Sequence, residues 1–457
     1  MEHITVKQIL EATGGRLLCG NEDQVLRHLS IDSRQMRGDD LFVPLIGEKA
    51  DAHRFIAGAF AAGAAATLTS EHDEAQDDRP WIRVEDTKRA LQAIGAYYRQ
   101  RLELPLVGIT GSVGKTTTRE MVAAALSAGF RVFKTPANHN SQVGVPITLS
   151  DISTRDEIGI LELGMSEPGE LTVIARIARV DAAVITNIGV THIEQLGTQE
   201  HIFREKMTIQ DGLKTGGTLY LNGDDEWLCH VRAKAGCETV RYGTGPDCQY
   251  RAEEIRIDDG YPSFTANCRG RKLPVRLSVM GRHNVLNAMA ALAVADQYGV
   301  SLEEAVRSLE AFDGFKNRQQ VYHVHGITVI DDTYNASPVS MKAAIEVLSS
   351  LTAKGRKIAV LADMKELGTQ ASEFHREVGR HLADYPADIL LTLGSLAEAI
   401  AEGFKETGSS GQVRCFGDGE REQLTAELKD ILQEGDCVML KGSNSMRLAE
   451  VAAALTE

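Results

Sequence analysis

GITGSVGKTTTREMVAAAL, residues 108–126, carries the reading of the fold. It grows out of PLVGIT, an apolar run of β type. It passes directly into TREMVAAALSAG, whose apolar residues recur at helical spacing. A glycine-rich loop between a strand and a helix is the setting in which backbone amides and a helix N-terminus hold phosphate. The strict pattern G-x-x-x-x-G-K-[ST] is nearly met. Counting back from Gly114-Lys115-Thr116, the first glycine belongs at 109, where Ile109 stands; glycines occupy 108 and 111 instead. A variant ATP-binding loop is expected, with Thr110, Gly111, Ser112, Gly114 and Thr117 around the phosphates. Lys115 would meet the outer phosphates and the Thr116 hydroxyl would ligate Mg²⁺. The alternative is a chance glycine turn, which the strand-and-helix context disfavours.

Outward from this loop the chain alternates. DEIGILELG and DAAVITNIG are short apolar runs separated by helical stretches, which predicts a mostly parallel sheet covered by helices. GGTLYLNGDD and YPSFTANCRG read as a more polar β-like insertion, closed by the helices NVLNAMAALAVADQYG and SLEEAVRSLEAF. The alternation resumes in ITVIDDTYNASP, RKIAVLADMKELG, ADILLTLGS and DCVMLKGSNSM. Before the loop, RHLSIDSRQMRGDDLFVPLIG reads as strand, polar turn, strand, and RFIAGAFAAGAAATLTS as an alanine-rich helix and a strand. TKRALQAIGAYYRQRLELP is helical and ends at Pro105. The expected fold class is therefore α/β in three domains, 1–103, 104–315 and 316–457.

Composition narrows the function. A net charge of −15 argues against a dedicated nucleic-acid binder, which needs a basic footprint. Seven scattered cysteines without a C-x-x-C pair suit free thiols in a reducing compartment. The opening MEHITVKQILEATGG lacks a signal peptide's apolar core, and no stretch reaches the ~18 apolar residues of a membrane span. A cytoplasmic protein without a membrane span is expected.

Glu162 ends one apolar run and His192 lies just beyond the next. Ligands of parallel sheets collect at strand carboxyl ends, so both could face the phosphates as Mg²⁺ ligands. Taken singly, a strand-end glutamate is as often a solvated charge, and a lone histidine more often structural.

Read together, T-G-S-V-G-K-T-T (110–117), NHNSQVGVP (138–146), ELG (162–164), TNIGVTHIEQLG (186–197), REK (204–206), GRHNVLNAMAA (281–291) and IDDTYNASP (330–338) resemble, in order, the Mur ligase superfamily. These are ATP-dependent enzymes that form amide bonds on peptidoglycan precursors. The resemblance spans all three domains: a small N-terminal UDP-binding domain, a central phosphate-loop ATPase domain and a Rossmann-like C-terminal domain. DDTYNASP, with no D-N-P-R motif, implies the activity that joins D-alanyl-D-alanine to UDP-N-acetylmuramoyl-tripeptide through an acyl phosphate. Whether the tripeptide ends in lysine or diaminopimelate stays open.

The resemblance assigns Lys115, Glu162, His192 and Lys206 to catalysis. Thr116, Glu162, His192 and Lys206 would hold the metals, with Lys206 carbamylated into an oxygen ligand. It puts Asn287, with His283 and Asn284, near the adenine; helix capping is the alternative. Arg318, Asp332 and Tyr334 would meet the nucleotide from the last domain. Ser33 and Arg34, in DSRQMRGDDLFVPLIG (32–47), would hold the UDP group, and Asn138, Asn140 and Asn335 the peptide substrates. The chain departs from the family's pattern at Ser141, Ala362 and Asn444. Folylpolyglutamate synthases share the other two domains but not the first. A guanine-specific switch would need an N-K-x-D-type segment, and none is found. No partner beyond the substrates is implied, and a monomer is expected.

Overall fold

The computed structural model describes residues 1–2, 4–47, 50–385 and 387–456. Three large sheets, each with its own helices, follow one another along the chain, and a two-stranded antiparallel pair, Ile4–Thr5 with Val25–Leu26, accompanies the first. The first has five strands in the order Arg16–Cys19, Trp81–Arg83, Ala64–Thr69, Asp40–Phe42, His28–Ser30. His28–Ser30 and Asp40–Phe42 pair in parallel, so the polar stretch between them is a crossover without a helix. The alanine-rich segment forms the helix Ile56–Ala61, and the helix Thr87–Arg101 starts on Asp86, whose carboxylate accepts from the Arg89 amide.

The second sheet has nine strands: Arg271–Arg276, Tyr261–Cys268, Tyr250–Asp258, Glu238–Gly243, Thr218–Asn222, Ala182–Ile185, Leu106–Thr110, Ile158–Glu162, Val132–Lys134. The pairings from Val132–Lys134 to Tyr250–Asp258 are parallel; the last two are antiparallel. Here one sequence expectation is corrected. GGTLYLNGDD is not part of a polar insertion: Thr218–Asn222 is wholly buried and pairs in parallel with Ala182–Ile185. Leu219 and Leu221 enter the core on one face, while Tyr220 enters the core on the other. A strand buried on both faces need not alternate; only its Gly and Asp flanks look polar. YPSFTANCRG does lie in the antiparallel extension, with alternate residues buried.

The third sheet has six strands: Gln320–Val324, Ile327–Asp332, Cys437–Lys441, Lys357–Ala362, Ile389–Leu393, Gln412–Phe416. All but the first pair run parallel. Helices Pro338–Ser350, Ala371–Asp384 and Glu398–Glu406 close one face; Arg421–Ile431 and Leu448–Thr456 close the other.

The two joints between these units differ. The first is buried: Tyr98 Oη donates to Ile152 O at 2.9 Å, Arg99 Nε to Ala178 O at 2.8 Å, and Gly95 lies against Pro146. The second joins the central and C-terminal units. Asp259 accepts from the Thr352 amide at 2.7 Å, and Met280 packs into the C-terminal core. Among the described residues no helix is long and apolar enough to cross a membrane.

Candidate active site

The loops after three neighbouring parallel strands, Leu106–Thr110, Ile158–Glu162 and Ala182–Ile185, line a cavity of about 730 Å³ whose opposite wall is the C-terminal unit. This matches the general rule for ligand sites in parallel sheets. Ser112, Gly114, Lys115, Thr116, Thr117, Asn138, Asn140, Glu162, His192 and Asn287 line it from the central unit. Arg318, Asp332, Tyr334 and Asn335 line it from the C-terminal unit. Thr110, Gly111 and Lys206 lie outside the lining. Ser33 and Arg34 sit apart in the first unit, where Arg34 makes a two-pronged contact with Asp32 at 2.8 and 2.9 Å.

The loop's shape depends on glycine at two points. Gly111 (φ +145°) could carry no side chain, because a Cβ would fall 1.9 Å from Thr186 Oγ1. Gly114 (φ +82°) precedes the helix Lys115–Leu126, which has no side-chain cap. The amides of its first turn thus keep free donors for an anion. Lys115 Nζ folds back onto Gly111 O at 2.8 Å. Burial lowers the Lys115 pKa, with Glu162 opposing and Arg318 adding to the shift. Thr186 and Asn187 brace the loop from the next strand: Thr186 Oγ1 and Asn187 Nδ2 donate to Val113 O, and Asn187 Oδ1 accepts from Val113 N. The sequence motif included both residues without indicating this function.

Glu162, 4% exposed, is the hub of the site. Its Oε2 accepts from Thr116 Oγ1 at 2.9 Å and Arg119 Nη1 at 3.2 Å; its Oε1 accepts from Asn140 Nδ2 at 3.0 Å. Arg119 also donates to Glu120 at 2.6 Å. Sequence reasoning missed Arg119; a basic residue one turn after Thr116 on a buried helix is the signal that could have found it. Arg318 reaches across from the C-terminal unit, donates to Thr116 Oγ1 at 3.0 Å and lies over the Tyr334 ring at 4.2 Å. Asp332 is held by Lys441 Nζ at 2.7 Å, which also donates to Asn335 O at 3.0 Å. Lys441 was missed as well, since nothing in KGSNSM points back to residue 332.

Asn287 does not cap its helix. It accepts from Thr118 Oγ1 at 3.0 Å and donates to Asn284 Oδ1 at 2.8 Å, while Asn284 donates to Met280 O. His283 lines the cavity beside them, and burial, followed by the charge of Lys441, takes its pKa down to about 4. Lys206 is 1% exposed on the helix Gln199–Met207. Burial, reinforced by the charge of Lys115, holds its pKa well below the lysine range. His192 Nδ1 lies 2.5 Å from Oε2 of Glu366, and the imidazole beside it keeps the Glu366 carboxyl below the usual range.

A phosphate loop on a parallel sheet, a buried carboxylate beside its threonine, and a second α/β unit reaching that threonine define a nucleotide-dependent enzyme built from several units. The chain belongs to the Mur ligase family. Its residues 25–99 match the Mur ligase family catalytic domain, 109–295 the Mur ligase middle domain, and 317–444 the Mur ligase glutamate ligase domain. The UDP-N-acetylmuramoyl-tripeptide--D-alanyl-D-alanine ligase of Bacillus subtilis is 37% identical to it, over 99% of this chain and 98% of the relative. The Escherichia coli ligase of the same name is 30% identical over 100% and 99%. Among solved structures, MurF from Acinetobacter baumannii superposes with a TM-score of 0.90 at 30% identity, covering 100% of this chain and 99% of that one. The MurF ligase of Thermotoga maritima in complex with ADP gives a TM-score of 0.83 at 29% identity, covering 94% and 97%.

Proposed function

We propose that this chain is the ATP-dependent ligase that joins D-alanyl-D-alanine to UDP-N-acetylmuramoyl-tripeptide, working as a monomer in the cytoplasm. The observation that carries the chemistry is the meeting at Thr116 of Glu162 and Arg318, one from the central and one from the C-terminal unit. The full-length likeness to ligases of that name, together with DDTYNASP, supports the substrates.

The tripeptide's terminal carboxylate attacks the γ-phosphorus of ATP; the bond to the β-bridging oxygen breaks and ADP leaves. The amine of the dipeptide then attacks the acyl carbon, the C–O bond to phosphate breaks, and a proton is released as the amide forms. Bringing a carboxylate to a triphosphate sets like charges together, and the chain's cations oppose that repulsion. Lys115 stands at the loop for the outer phosphates. Arg318 approaches from the other wall, stacked on Tyr334 and thereby restricted in direction. Asp332, held by Lys441, would meet the ribose, and Asn287 with His283 the adenine. Ser33 and Arg34 would hold the UDP group at a distance from the reacting atoms; Asn138, Asn140 and Asn335 would contact the peptide ends.

The buried pair Thr116 and Glu162 offers hard oxygen donors suited to Mg²⁺, with His192 on the same cavity. Lys206 fits them only when modified. Its site favours the uncharged amine, the form that adds CO₂, and the resulting carbamate supplies an anionic oxygen. Mg²⁺ held there would neutralise charge on the transferring phosphoryl group.

The testing experiment is phosphate release from ATP and Mg²⁺ with UDP-N-acetylmuramoyl-tripeptide, with D-alanyl-D-alanine supplied or withheld. Release that needs both, with a product heavier by the dipeptide less one water, is expected. Release without the dipeptide, or only with another amine, overturns the substrate assignment. For Lys206, a ¹³C carbamate resonance should appear with labelled bicarbonate and vanish in Lys206→Ala; an intact, fully active Lys206→Ala enzyme refutes the modification.

A further inference from the structure

His192 and Glu366 come from different units and meet as an ion pair at 2.5 Å, Nδ1 to Oε2; the contact is not aligned as a hydrogen bond, and Nδ1 has no other partner among the described residues. The contact lies between two held loops. On the C-terminal side, the segment after the strand Lys357–Ala362 is tied at three successive residues. Asp363 accepts from Ala397 N at 2.7 Å, Met364 N donates to His375 Nε2 at 2.9 Å, and Lys365 N donates to Ser443 Oγ at 2.9 Å. Glu366 then projects from a left-handed backbone (φ +63°), and its carbonyl accepts from Glu194 N at 3.3 Å. On the central side, His192 is also left-handed (φ +63°), and Val190 and Ile193 around it pack on the C-terminal core. Two non-glycine residues in this disfavoured region, facing each other, need surroundings that hold them there. No other ion-pair partner approaches the Glu366 carboxylate among the described residues.

We infer that Glu366 is a positioning residue for His192. Its negative charge beside Nδ1 favours the ring proton on that nitrogen and holds the imidazole from behind, which leaves Nε2 free to act as the ligand. A carboxylate behind a metal-ligating histidine is the arrangement that orients such a ligand and raises its basicity. Here that carboxylate belongs to the other unit, so His192 is a fully prepared ligand only while the C-terminal unit is docked. The inference rests on the reading of His192 as a metal ligand.

The test is Mn²⁺ titration of the full chain with a non-hydrolysable ATP analogue, with free Mn²⁺ read by electron paramagnetic resonance. His192→Ala should weaken Mn²⁺ binding by at least tenfold. Glu366→Ala should weaken it about 10- to 100-fold. Glu366→Gln, which keeps an acceptor without the charge, should fall between Glu366→Ala and the parent. Asp259→Ala removes one hydrogen bond elsewhere in the same interface while His192 and Glu366 still meet, and should leave Mn²⁺ affinity unchanged. Unchanged affinity in His192→Ala overturns the metal reading itself. Weakening in His192→Ala but not in Glu366→Ala overturns the positioning role alone. Asp259→Ala weakening binding as much as Glu366→Ala would reduce the contact to docking. Unchanged melting temperatures in the Glu366 variants exclude misfolding as the cause.

Discussion

Arg119 binds two carboxylates at once, Glu120 at 2.6 Å and Glu162 at 3.2 Å, with all three side chains buried. Removing the cation leaves those charges without their buried partner, which usually costs about 3–5 kcal/mol. Arg119→Met should therefore lower unfolding free energy by about 3 kcal/mol in urea titrations, because Lys134 still faces Glu120. Arg119→Lys should cost less, since it keeps the charge and loses the fork. His283 gives a pH signature. Its folded value is about 4 against an ordinary 6.5, so between these values the unfolded chain binds the extra proton. Stability then falls as pH drops through that window, by up to about 1.4 kcal/mol per pH unit. His283→Asn should remove that share of the slope, measured by denaturation between pH 4 and 6.5. Neither effect is visible in sequence: Arg119 is an ordinary polar residue until burial pairs it, and His283 until the fold sets it, half-buried, beside Lys441.

Among the elements, helices Ala371–Asp384 and Glu398–Glu406 touch backbone to backbone. A Cβ on Gly379 would fall 2.0 Å from Ile400 O, and one on Gly403 2.1 Å from Arg376 O. In an exposed helix, glycine to alanine gains up to about 1 kcal/mol. Here the clash reverses the sign, and Gly379→Ala should destabilise by about 1–3 kcal/mol in a thermal or denaturant melt. The helices themselves, and most strands, were legible from periodicity. Thr218–Asn222 was not, because a strand buried on both faces hides between polar flanks. The crossover at residues 31–39 was legible only as a turn, since partner direction leaves no local trace.

At the scale of the molecule, the first unit is locked to the central one by buried hydrogen bonds, whereas the C-terminal unit is held by the polar contacts of Arg318, Glu366 and Asp259 and by Met280, Val190, Ile193 and Tyr261 packing on its core. Motion on substrate binding should therefore be confined to the C-terminal joint, excluding water from a hydrolysable acyl phosphate. Small-angle scattering with an ATP analogue and UDP-N-acetylmuramoyl-tripeptide should show a smaller radius of gyration than the free chain; an unchanged profile counts against closure.

What the sequence determined by itself was local: the order of strands and helices, the glycine-bearing loop at 108–126, and the motifs that mark the family. Such features need only neighbours along the chain, and their patterns survive in any single sequence. The tertiary structure alone decided which distant groups meet: Arg119 with Glu162, Lys441 with Asp332 across 109 positions, Glu366 with His192. Charges pair there because burial removes the water that would otherwise solvate them, and burial belongs to the whole fold.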